Sequence, residues 1–372
     1  MQYLINVQLS NISFEDDMGL SKFKIIQTVS PLLEERSLSR IRHIIRGLII
    51  DIEKQSHNNN VAQGKISHDI PNARRLKYVL DELDQILHSR TIKRSKYYIK
   101  RFVRSLTETK TSRVNDLNLH RWKEYNDILT DSLWILEKRD TSGAHHGAYW
   151  GNFIPQIPNQ LLRRYTKSGE WALDAFLGSG TALIESKRLG RNAVGVELLK
   201  KVAISAAKAI AREGNPYKTR TEIIIGDSSR LDFKSELHKR KMKSVQFLIM
   251  HPPYWDIVKF SKNKRDLSNA ASLDEFLTLF GKTVDATYPV LDKGRYFALI
   301  IGDKYSGSNW IPLGFYTMQE VLKRGYSLKS IIIKNFDETK GKRNQKELWR
   351  YRAFVGGFYI FKHEYIFLFK KE

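Results

Sequence analysis

A glycine-rich turn is the first segment whose residue types and spacing could do chemistry. An apolar run of strand length, residues 171–176, breaks into Gly178-Ser179-Gly180 and continues as a helix-compatible segment, residues 181–189. Glycines let the backbone pass close to a ligand, and the free N–H groups of a helix start can face that ligand. A strand, a tight turn and a helix start in this order are typical of nucleotide-like cofactor sites in α/β folds.

Polar residues end the apolar runs that follow. Residues 192–197 end in Glu197, residues 222–227 end in Asp227, and residues 245–250 run into His251-Pro-Pro-Tyr254. A carboxylate at the end of the second strand is placed to bind ribose hydroxyls. Because parallel sheets bind ligands at the carboxyl ends of their strands, we expect these polar ends to face one crevice.

The glycine spacing argues against two other classes of nucleotide site. In the dinucleotide fingerprint G-x-G-x-x-G the third glycine position is occupied here by Leu183, and no glycine follows before Gly190. The phosphate-binding pattern G-x-x-x-x-G-K-[S/T] does not occur in the chain. NAD and nucleoside triphosphates are therefore disfavoured as ligands of this turn.

The pattern resembles the S-adenosylmethionine-dependent amino-methyltransferases of nucleic acids. In those enzymes an F-x-G-x-G turn precedes an acidic strand end and, later, a [D/N/S]-P-P-[Y/F] tetrapeptide. The matching positions here are Phe176, Gly178, Gly180, Glu197 and the Pro252-Pro253-Tyr254 segment. The resemblance covers roughly residues 148–372. It implies S-adenosylmethionine as cofactor and double-stranded DNA as partner.

The resemblance also implies roles for individual residues. In the family, the side chain at the first tetrapeptide position and the carbonyl of the first proline accept hydrogen bonds from the target amino group, while the aromatic residue stacks on a flipped base. Carried over, these catalytic positions are His251, Pro252, Pro253 and Tyr254. The positions that it implies for the cofactor are Phe153, Ile154, Pro155, Asp174, Phe176, Gly178, Ser179, Gly180, Thr181, Glu197 and Asp227.

His251 departs from the family's usual Asp, Asn or Ser. A neutral imidazole has one acceptor nitrogen and a protonated one has none, so the sequence predicts activity that falls below about pH 6. Alternatively, His251 only structures the turn and the Pro252 carbonyl aligns the amine. Asp would have indicated adenine and Ser cytosine, so the target base stays open.

Composition points to a polyanionic partner. The chain has 372 residues and a net charge of +23, with a pI near 9.8, as expected of a protein that neutralises phosphates. Cysteine is absent, which excludes disulfides, zinc ribbons and thiolate nucleophiles. Neither a secretory signal nor a membrane span is indicated, so we expect a cytoplasmic protein.

Helical periodicity dominates the first part of the chain. Apolar residues recur at i, i+3, i+4 and i+7 from Ile41 to Ile52, from Leu76 to Leu87, around Phe102, and from Trp122 to Leu136. Residues 56–64 are polar and predict a loop. We therefore expect a helical domain over 1–140, with a possible role in target recognition, and a linker over 141–150. His145 and His146 in that linker lack further ligands at metal-binding spacing, so no metal is predicted.

A methyltransferase domain is predicted over 151–372. Its strands and helices alternate, which predicts an α/β fold: a doubly wound, seven-stranded Rossmann-like sheet preceded by the mostly helical domain. The predicted helices span 181–189, 198–212, 234–243, 272–291 and 311–324. The later strands span 295–301, 327–334 and 358–369. The resemblance implies that the seventh strand lies antiparallel between the fifth and sixth.

Three basic segments with aromatic residues are candidates for nucleic-acid contact. They lie at residues 93–104, 255–269 and 337–352, the last including Trp349. Such segments can track phosphates and stack on bases, or they are solvated surface. The candidate residues are Lys93, Arg94, Trp255, Lys259, Lys262, Lys342 and Arg343.

Three functions compete on these features. The leading one is a site-specific DNA methyltransferase acting on adenine N6 or cytosine N4, as in restriction-modification systems with a partner endonuclease. An RNA N2-guanine methyltransferase is the second, although its relatives usually carry an α/β RNA-binding domain where this chain is helical. A non-catalytic nucleic-acid-binding subunit is the third, and the intact Gly178, Glu197 and Asp227 argue against it.

Overall fold

The computed structural model describes residues 22–62, 70–145, 149, 151–336 and 345–372, and these residues form two compact units. The first unit reaches Thr111 and includes Asn118–Asn126, whereas the second comprises Ser112–Leu117 and Asp127–Glu372. The sequence analysis placed the division near residue 140. The role of the first unit in target recognition stays a prediction.

The first unit is built from amphipathic helices. Its α-helices are α1 (Lys22–Val29), α2 (Leu38–Ala62), α3 (Ile70–Leu87) and α4 (Ile92–Thr107), with 3-10 helices at Ser30–Leu33 and Leu119–Glu124. The predicted apolar face of α2 is confirmed, since Ile41 and Ile45 are fully buried against Leu83 of α3 and Phe102 of α4. The predicted loop over 56–64 is wrong in its first part, because α2 continues to Ala62.

The second unit contains an eight-stranded sheet and a two-stranded hairpin. The strands are β1 (Leu133–Trp134), β2 (Trp171–Asp174), β3 (Asn192–Glu197), β4 (Thr221–Ile225), β5 (Val245–Met250), β6 (Leu291–Ile301), β7 (Lys304–Ser306), β8 (Asn309–Ile311), β9 (Tyr326–Asn335) and β10 (His363–Lys371). The large sheet has the order β1-β9-β10-β6-β5-β2-β3-β4, and β7 pairs with β8. Among the described strands of the large sheet, β10 alone runs antiparallel to its neighbours.

The predicted α/β fold is confirmed, including the antiparallel strand between β6 and β9. The number of strands differs from the seven that were predicted, because β1 adds to the edge of the sheet at β9. The helix predicted from Trp122 to Leu136 is wrong. Its apolar residues have helical spacing, but Leu133 and Trp134 extend along the open edge of β9 opposite Ile333 and Lys334.

The second unit also contains helices, which pack on both faces of this sheet except for the exposed helix Lys346–Gly356. They are α5 (Gln156–Tyr165), α6 (Thr181–Arg188), α7 (Lys200–Arg212), α8 (Phe233–Lys239), α9 (Leu273–Thr287), α10 (Leu313–Leu322) and α11 (Lys346–Gly356), with 3-10 helices at Trp255–Ile257, Leu267–Asn269 and Tyr288–Val290. Strand β6 illustrates why both faces are buried: Phe297 and Leu299 join the core that contains α9, whereas Ala298 and Ile300 pack with α5 on the other face. Alternate residues of a strand point to opposite faces, so a continuous apolar run fills two cores.

The order of the strands creates a switch point. From β2 the chain proceeds outward through β3 and β4, then returns to place β5 on the other side of β2. Connections leave such neighbouring strands in opposite directions and open a crevice at their carboxyl ends. The glycine turn follows β2 and the His-Pro-Pro-Tyr segment follows β5, so the topology brings the two motifs together.

Candidate active site

A cavity of about 880 Å³ lies at the carboxyl ends of the central strands. It brings together most of the residues that the sequence analysis selected: Phe153, Ile154, Phe176, Gly178, Ser179, Thr181, Glu197, Asp227, His251, Pro252, Pro253 and Tyr254. Pro155, Gly180 and Asp174 do not line it. Pro155 and Gly180 occupy the N-cap positions of α5 and α6.

The glycine turn has a shape that larger residues would not adopt. Gly178 and Gly180 have φ values of +50° and +84°, in the left-handed region. A Cβ on Gly178 would lie 3.1 Å from the Tyr149 ring, and one on Gly180 would lie 3.0 Å from Ile210 Cδ1. The turn therefore needs glycine both for its backbone angles and for its close packing.

Glu197 is oriented by the backbone around it. Its Oε2 accepts a hydrogen bond from the Gly178 N–H at 3.0 Å, and its Oε1 accepts one from the Leu199 N–H at 2.9 Å. Burial raises the pKa of Glu197, although these two bonds oppose the rise. Each carboxylate oxygen has a second lone pair, so the fixed side chain can still accept from hydroxyls of a ligand in the cavity.

Asp227 and Asp266 are further carboxylates of the cavity wall. Asp227 Oδ1 accepts from the N–H and the hydroxyl of Ser229. Asp266 accepts from Ser268 and Ser261 at the start of a 3-10 helix. Sequence analysis missed Asp266 because it lies in a loop, away from any strand end.

Asp174 points into the protein interior. Its Oδ1 accepts from the Phe176 N–H at 3.0 Å, while its Oδ2 is buried without a hydrogen-bond partner among the described residues. Burial raises the pKa of Asp174 to about 7. The structure thus gives this residue a place beneath the turn and no contact with the cavity.

The His-Pro-Pro-Tyr segment is held by two residues that sequence analysis missed. His251 Nε2 lies 3.1 Å from the Tyr254 hydroxyl, which donates to Glu364 Oε2 at 2.8 Å. The other carboxylate oxygen of Glu364 lies 3.1 Å from the ammonium of Lys334. Burial lowers the pKa of His251 to about 4, so the imidazole is neutral near pH 7.

Aromatic rings line the part of the cavity beyond Tyr254. Tyr305 stacks on Phe358 with ring centroids 4.1 Å apart, and Trp349 and Phe361 also face this region. Planar apolar rings around a cavity favour a flat, aromatic ligand. The cavity therefore joins a carboxylate-lined side, at Glu197 and Asp227, to an aromatic side near Tyr254.

Part of the chain is similar to a known protein family. Residues 38–208 match the family model described as DNA methylase. The chain resembles the adenine-N6 and cytosine-N4 DNA methylases. The matched range includes the glycine turn and Glu197 and ends before His251.

Individual relatives agree with this likeness. The type II methyltransferase M.MjaII of Methanocaldococcus jannaschii is 30% identical over 112 residues, 28% of this chain and 21% of the relative. The type II methyltransferase M.MthZI of Methanothermobacter thermautotrophicus is 32% identical over 81 residues, 21% of this chain and 22% of the relative. The matched stretches thus span about a fifth of each of these two relatives. Among solved structures, TrmN from Thermus thermophilus is 17% identical with a TM-score of 0.38, over 59% of this chain and 49% of that one.

The candidate nucleic-acid-contacting residues differ in how accessible their side chains are. Trp255 is fixed in the scaffold: its Nε1 donates to the Ala270 carbonyl, and the Lys304 ammonium lies 3.9 Å from its ring centroid. Lys259 donates to the Ser268 carbonyl, whereas Lys262 is exposed. Lys342 and Arg343 lie outside the described residues.

Lys93 and Arg94 are exposed in the first turn of α4. Thr91 caps this helix by accepting from the Arg94 N–H at 3.2 Å. The Arg94 guanidinium lies 4.9 Å from the Tyr98 ring centroid. Both cations remain accessible to a phosphate.

Metal and membrane features were searched over the described ranges only. They contain no group of three or more His, Asp or Glu side chains that could hold a metal ion. His145, a residue of the predicted linker, lies 2.6 Å from buried Glu185 instead. In the same part of the chain, no helix has the length and apolar character to cross a membrane.

Proposed function

We propose that this protein is an S-adenosylmethionine-dependent DNA methyltransferase. It acts on an exocyclic amino group, adenine N6 or cytosine N4, of a base flipped out of the duplex. One observation carries the proposal: a single cavity joins the glycine turn and Glu197 to His251, Pro252 and Tyr254. The likeness to DNA methylases and the two type II methyltransferase relatives support it.

The residues of the cavity fit the cofactor. S-adenosylmethionine, when bound, supplies an electrophilic methyl group on a sulfonium sulfur. The fixed carboxylate of Glu197 suits two ribose hydroxyls, and Gly178, which lines the same cavity without a side chain, leaves its backbone open to a nucleoside. Phe153 and Ile154 offer apolar surface for the methionine end. Asp227 adds an acceptor on the same side.

The side of the cavity near His251 aligns the target amino group in the proposed reaction. An exocyclic amine is a poor nucleophile because its lone pair is delocalised into the ring. Acceptors at His251 and at the Pro252 carbonyl draw its two N–H groups towards tetrahedral geometry, and Tyr254 supports the base. With the cofactor bound, the aligned nitrogen would take the methyl group from the sulfonium and lose one proton to solvent, while His251, the Pro252 carbonyl and Tyr254 hold the base in place.

DNA is the partner that the surface favours. The net charge of +23 suits a polyanion, and α11 borders the aromatic part of the cavity through Trp349. Its exposed Tyr351 and Phe354 lie next to Arg350 and Arg352. Such basic residues suit phosphates, and such rings suit bases or a widened groove. A partner restriction endonuclease and a cytoplasmic location complete the proposal.

Label transfer tests the reaction directly. The protein is incubated with methyl-labelled S-adenosylmethionine and unmethylated bacterial DNA or, in parallel, RNA. Nucleosides are then identified by mass spectrometry. We expect label in N6-methyladenine or N4-methylcytosine from DNA. Label only in RNA would replace the proposal by an RNA methyltransferase, and cofactor binding without transfer to either would favour a non-catalytic subunit.

Two variants test the cofactor side and the base side of the cavity independently. Glu197→Ala should weaken cofactor binding, measured by calorimetry, on the order of tenfold because hydrogen bonds to a charged acceptor are lost. Tyr254→Ala should weaken methyl transfer and leave cofactor affinity unchanged. Glu222→Ala is the matched control, since this half-buried glutamate lies on β4 near the opposite end of the strands. Unchanged cofactor affinity in Glu197→Ala would contradict the site assignment.

A further inference from the structure

Four side chains from three segments of the second unit form a continuous hydrogen-bonded row. Lys334 of β9 pairs with Glu364 of β10, which accepts from the Tyr254 hydroxyl, and Tyr254 in turn contacts His251. Lys334 and Glu364 are direct cross-strand neighbours, and their side chains are only 7% and 11% exposed. The row is thus anchored in the sheet and ends at the cavity.

The number of available protons decides the direction of each hydrogen bond. The Glu364 carboxylate, paired with an ammonium, can only accept, so the single phenolic proton of Tyr254 lies in the 2.8 Å bond to Oε2. The Tyr254 oxygen must then accept from His251 Nε2–H across 3.1 Å. The opposite arrangement would place two acceptor oxygens 2.8 Å apart with no proton between them.

This direction determines the tautomer of His251. A neutral imidazole has one N–H, and here that N–H is Nε2–H. The remaining nitrogen, Nδ1, keeps its lone pair and has no hydrogen-bond partner among the residues that the structure describes. The Phe153 ring packs on the imidazole, with centroids 5.1 Å apart, and restricts its rotation.

We propose that Glu364 and Lys334 are positioning residues that act through Tyr254 to keep His251 in the Nε2–H tautomer, so that Nδ1 accepts an N–H of the target amino group. This inference rests on the proposed function. It also explains why a histidine needs support where Asp, Asn or Ser would not: those side chains always carry an acceptor oxygen, whereas an imidazole presents the required lone pair in only one tautomer.

Tyr254→Phe separates this role from base stacking. Phenylalanine keeps the aromatic surface but removes the hydroxyl that selects the tautomer. We expect kcat for methyl transfer to fall roughly tenfold, with KM for DNA nearly unchanged, because alignment and not binding is lost. A role in stacking alone predicts an unchanged kcat, and that result would overturn the proposal. Tyr217→Phe, at an exposed tyrosine near the start of β3, is the matched control.

Glu364→Gln tests the direction of the hydrogen bonds. An amide N–H can donate to the Tyr254 oxygen, which frees the phenolic proton to turn towards His251 Nε2 and moves the imidazole proton to Nδ1. We expect a fall in kcat similar to that of Tyr254→Phe, while Glu222→Gln keeps the wild-type kcat. An active Glu364→Gln with wild-type kcat would overturn the role of Glu364.

Nitrogen-15 NMR of the histidine-labelled full chain reads the tautomer without cofactor or DNA. The His251 signals are identified by their loss in His251→Asn. We expect a protonated Nε2 and a bare Nδ1 in the wild type, and a shift towards Nδ1–H in Glu364→Gln. A wild-type Nδ1–H signal would overturn the proposal. If Nδ1 is unprotonated but no methyl transfer is detected, the proposed function is overturned. The role of Glu364 and Lys334 in selecting the His251 tautomer would then still hold.

Discussion

At the scale of single residues, His251 must stay neutral if its imidazole is to accept a hydrogen bond. The sequence predicted a loss of activity below about pH 6, from the ordinary pKa of histidine. The structure shifts this expectation to lower pH, because burial lowers the pKa of His251 to about 4, with Lys334 also lowering it and Glu364 opposing both. The imidazole of His251 is therefore expected to become protonated only near pH 4.

Methyl transfer should therefore be nearly independent of pH between 8 and 5 and should decline only towards pH 4. Protonation removes the acceptor nitrogen, so the expected change is in kcat. Label transfer across this range measures it, with circular dichroism at each pH to confirm that the protein is folded. A half-maximal rate near pH 6.5 would mean that His251 titrates as an ordinary surface histidine, or that another group controls the rate.

The buried carboxylate of Asp174 should lower the free energy of unfolding at neutral and alkaline pH. Its folded-state pKa of about 7 lies above the unfolded value, so the protonated form is favoured by folding. The resulting stability is fully present below about pH 4 and is lost as the pH rises through 7. Asp174→Asn keeps an acceptor for the Phe176 N–H and removes the buried charge.

We expect Asp174→Asn to be more stable than the wild type at pH 8, by about 4 kcal/mol, and similar to it near pH 4. Urea unfolding at the two pH values measures the difference. Equal stabilities at pH 8 would show that Asp174 Oδ2 is solvated in the folded protein. Asp292→Asn is a suitable control, because this half-buried aspartate on β6 accepts from Gln246.

At the scale of elements, α11 has no buried residue, although it carries large apolar side chains. Tyr351 and Phe354 are 66% and 73% exposed, and the flanking Arg350 and Arg352 lie on the same helix. Contiguous exposed apolar residues on a soluble surface mark contact sites. This helix adjoins the cavity that receives the base in the proposed function.

The double variant Tyr351→Ala/Phe354→Ala should weaken DNA binding on the order of tenfold, through lost stacking or groove insertion. Its thermal unfolding should be unchanged, because neither ring contributes to a core. Fluorescence anisotropy with a labelled duplex measures the affinity, and Tyr217→Ala supplies an exposed tyrosine near the start of β3 as control. Unchanged affinity together with a change in oligomeric state would assign α11 to contact between copies of the chain.

Element boundaries illustrate what local sequence can predict. The five helices predicted after the glycine turn are confirmed within a few residues, because each has a continuous apolar stripe between polar turns. The segment from Trp122 to Leu136 has a similar stripe but forms a 3-10 helix and a short strand. There the open hydrogen-bonding edge of β9, distant in sequence, accepts Leu133 and Trp134 as a strand.

At the scale of the whole molecule, the charge of +23 should dominate non-specific DNA affinity. Each neutralised phosphate contributes about −0.9 to the slope of log affinity against log salt concentration. If the exposed Lys93 and Arg94 of α4 contact phosphates, Lys93→Ala/Arg94→Ala should make the slope shallower by about two units. Titrations from low to physiological salt measure it.

The control for this slope removes the same charge elsewhere. Lys239→Ala/Lys323→Ala replaces exposed lysines at the ends of α8 and α10, which lead into the starts of β5 and β9 and hence to the edge of the sheet away from the cavity. Its slope should match that of the wild type. If both double variants made the salt dependence equally shallow, DNA affinity would depend on the net charge of the protein and not on a surface of α4.

The sequence by itself determined the local features: the strand, turn and helix at Gly178, the polar strand ends, and the order of strands and helices. These depend on periodicity, glycine and charge within a few neighbouring residues. Tertiary structure alone decided that Asp174 points inward, that β1 joins the sheet, and that Glu364 and Lys334 support Tyr254. Each of these depends on strand register between segments far apart in the chain, because register determines which side chains become neighbours and which are removed from water.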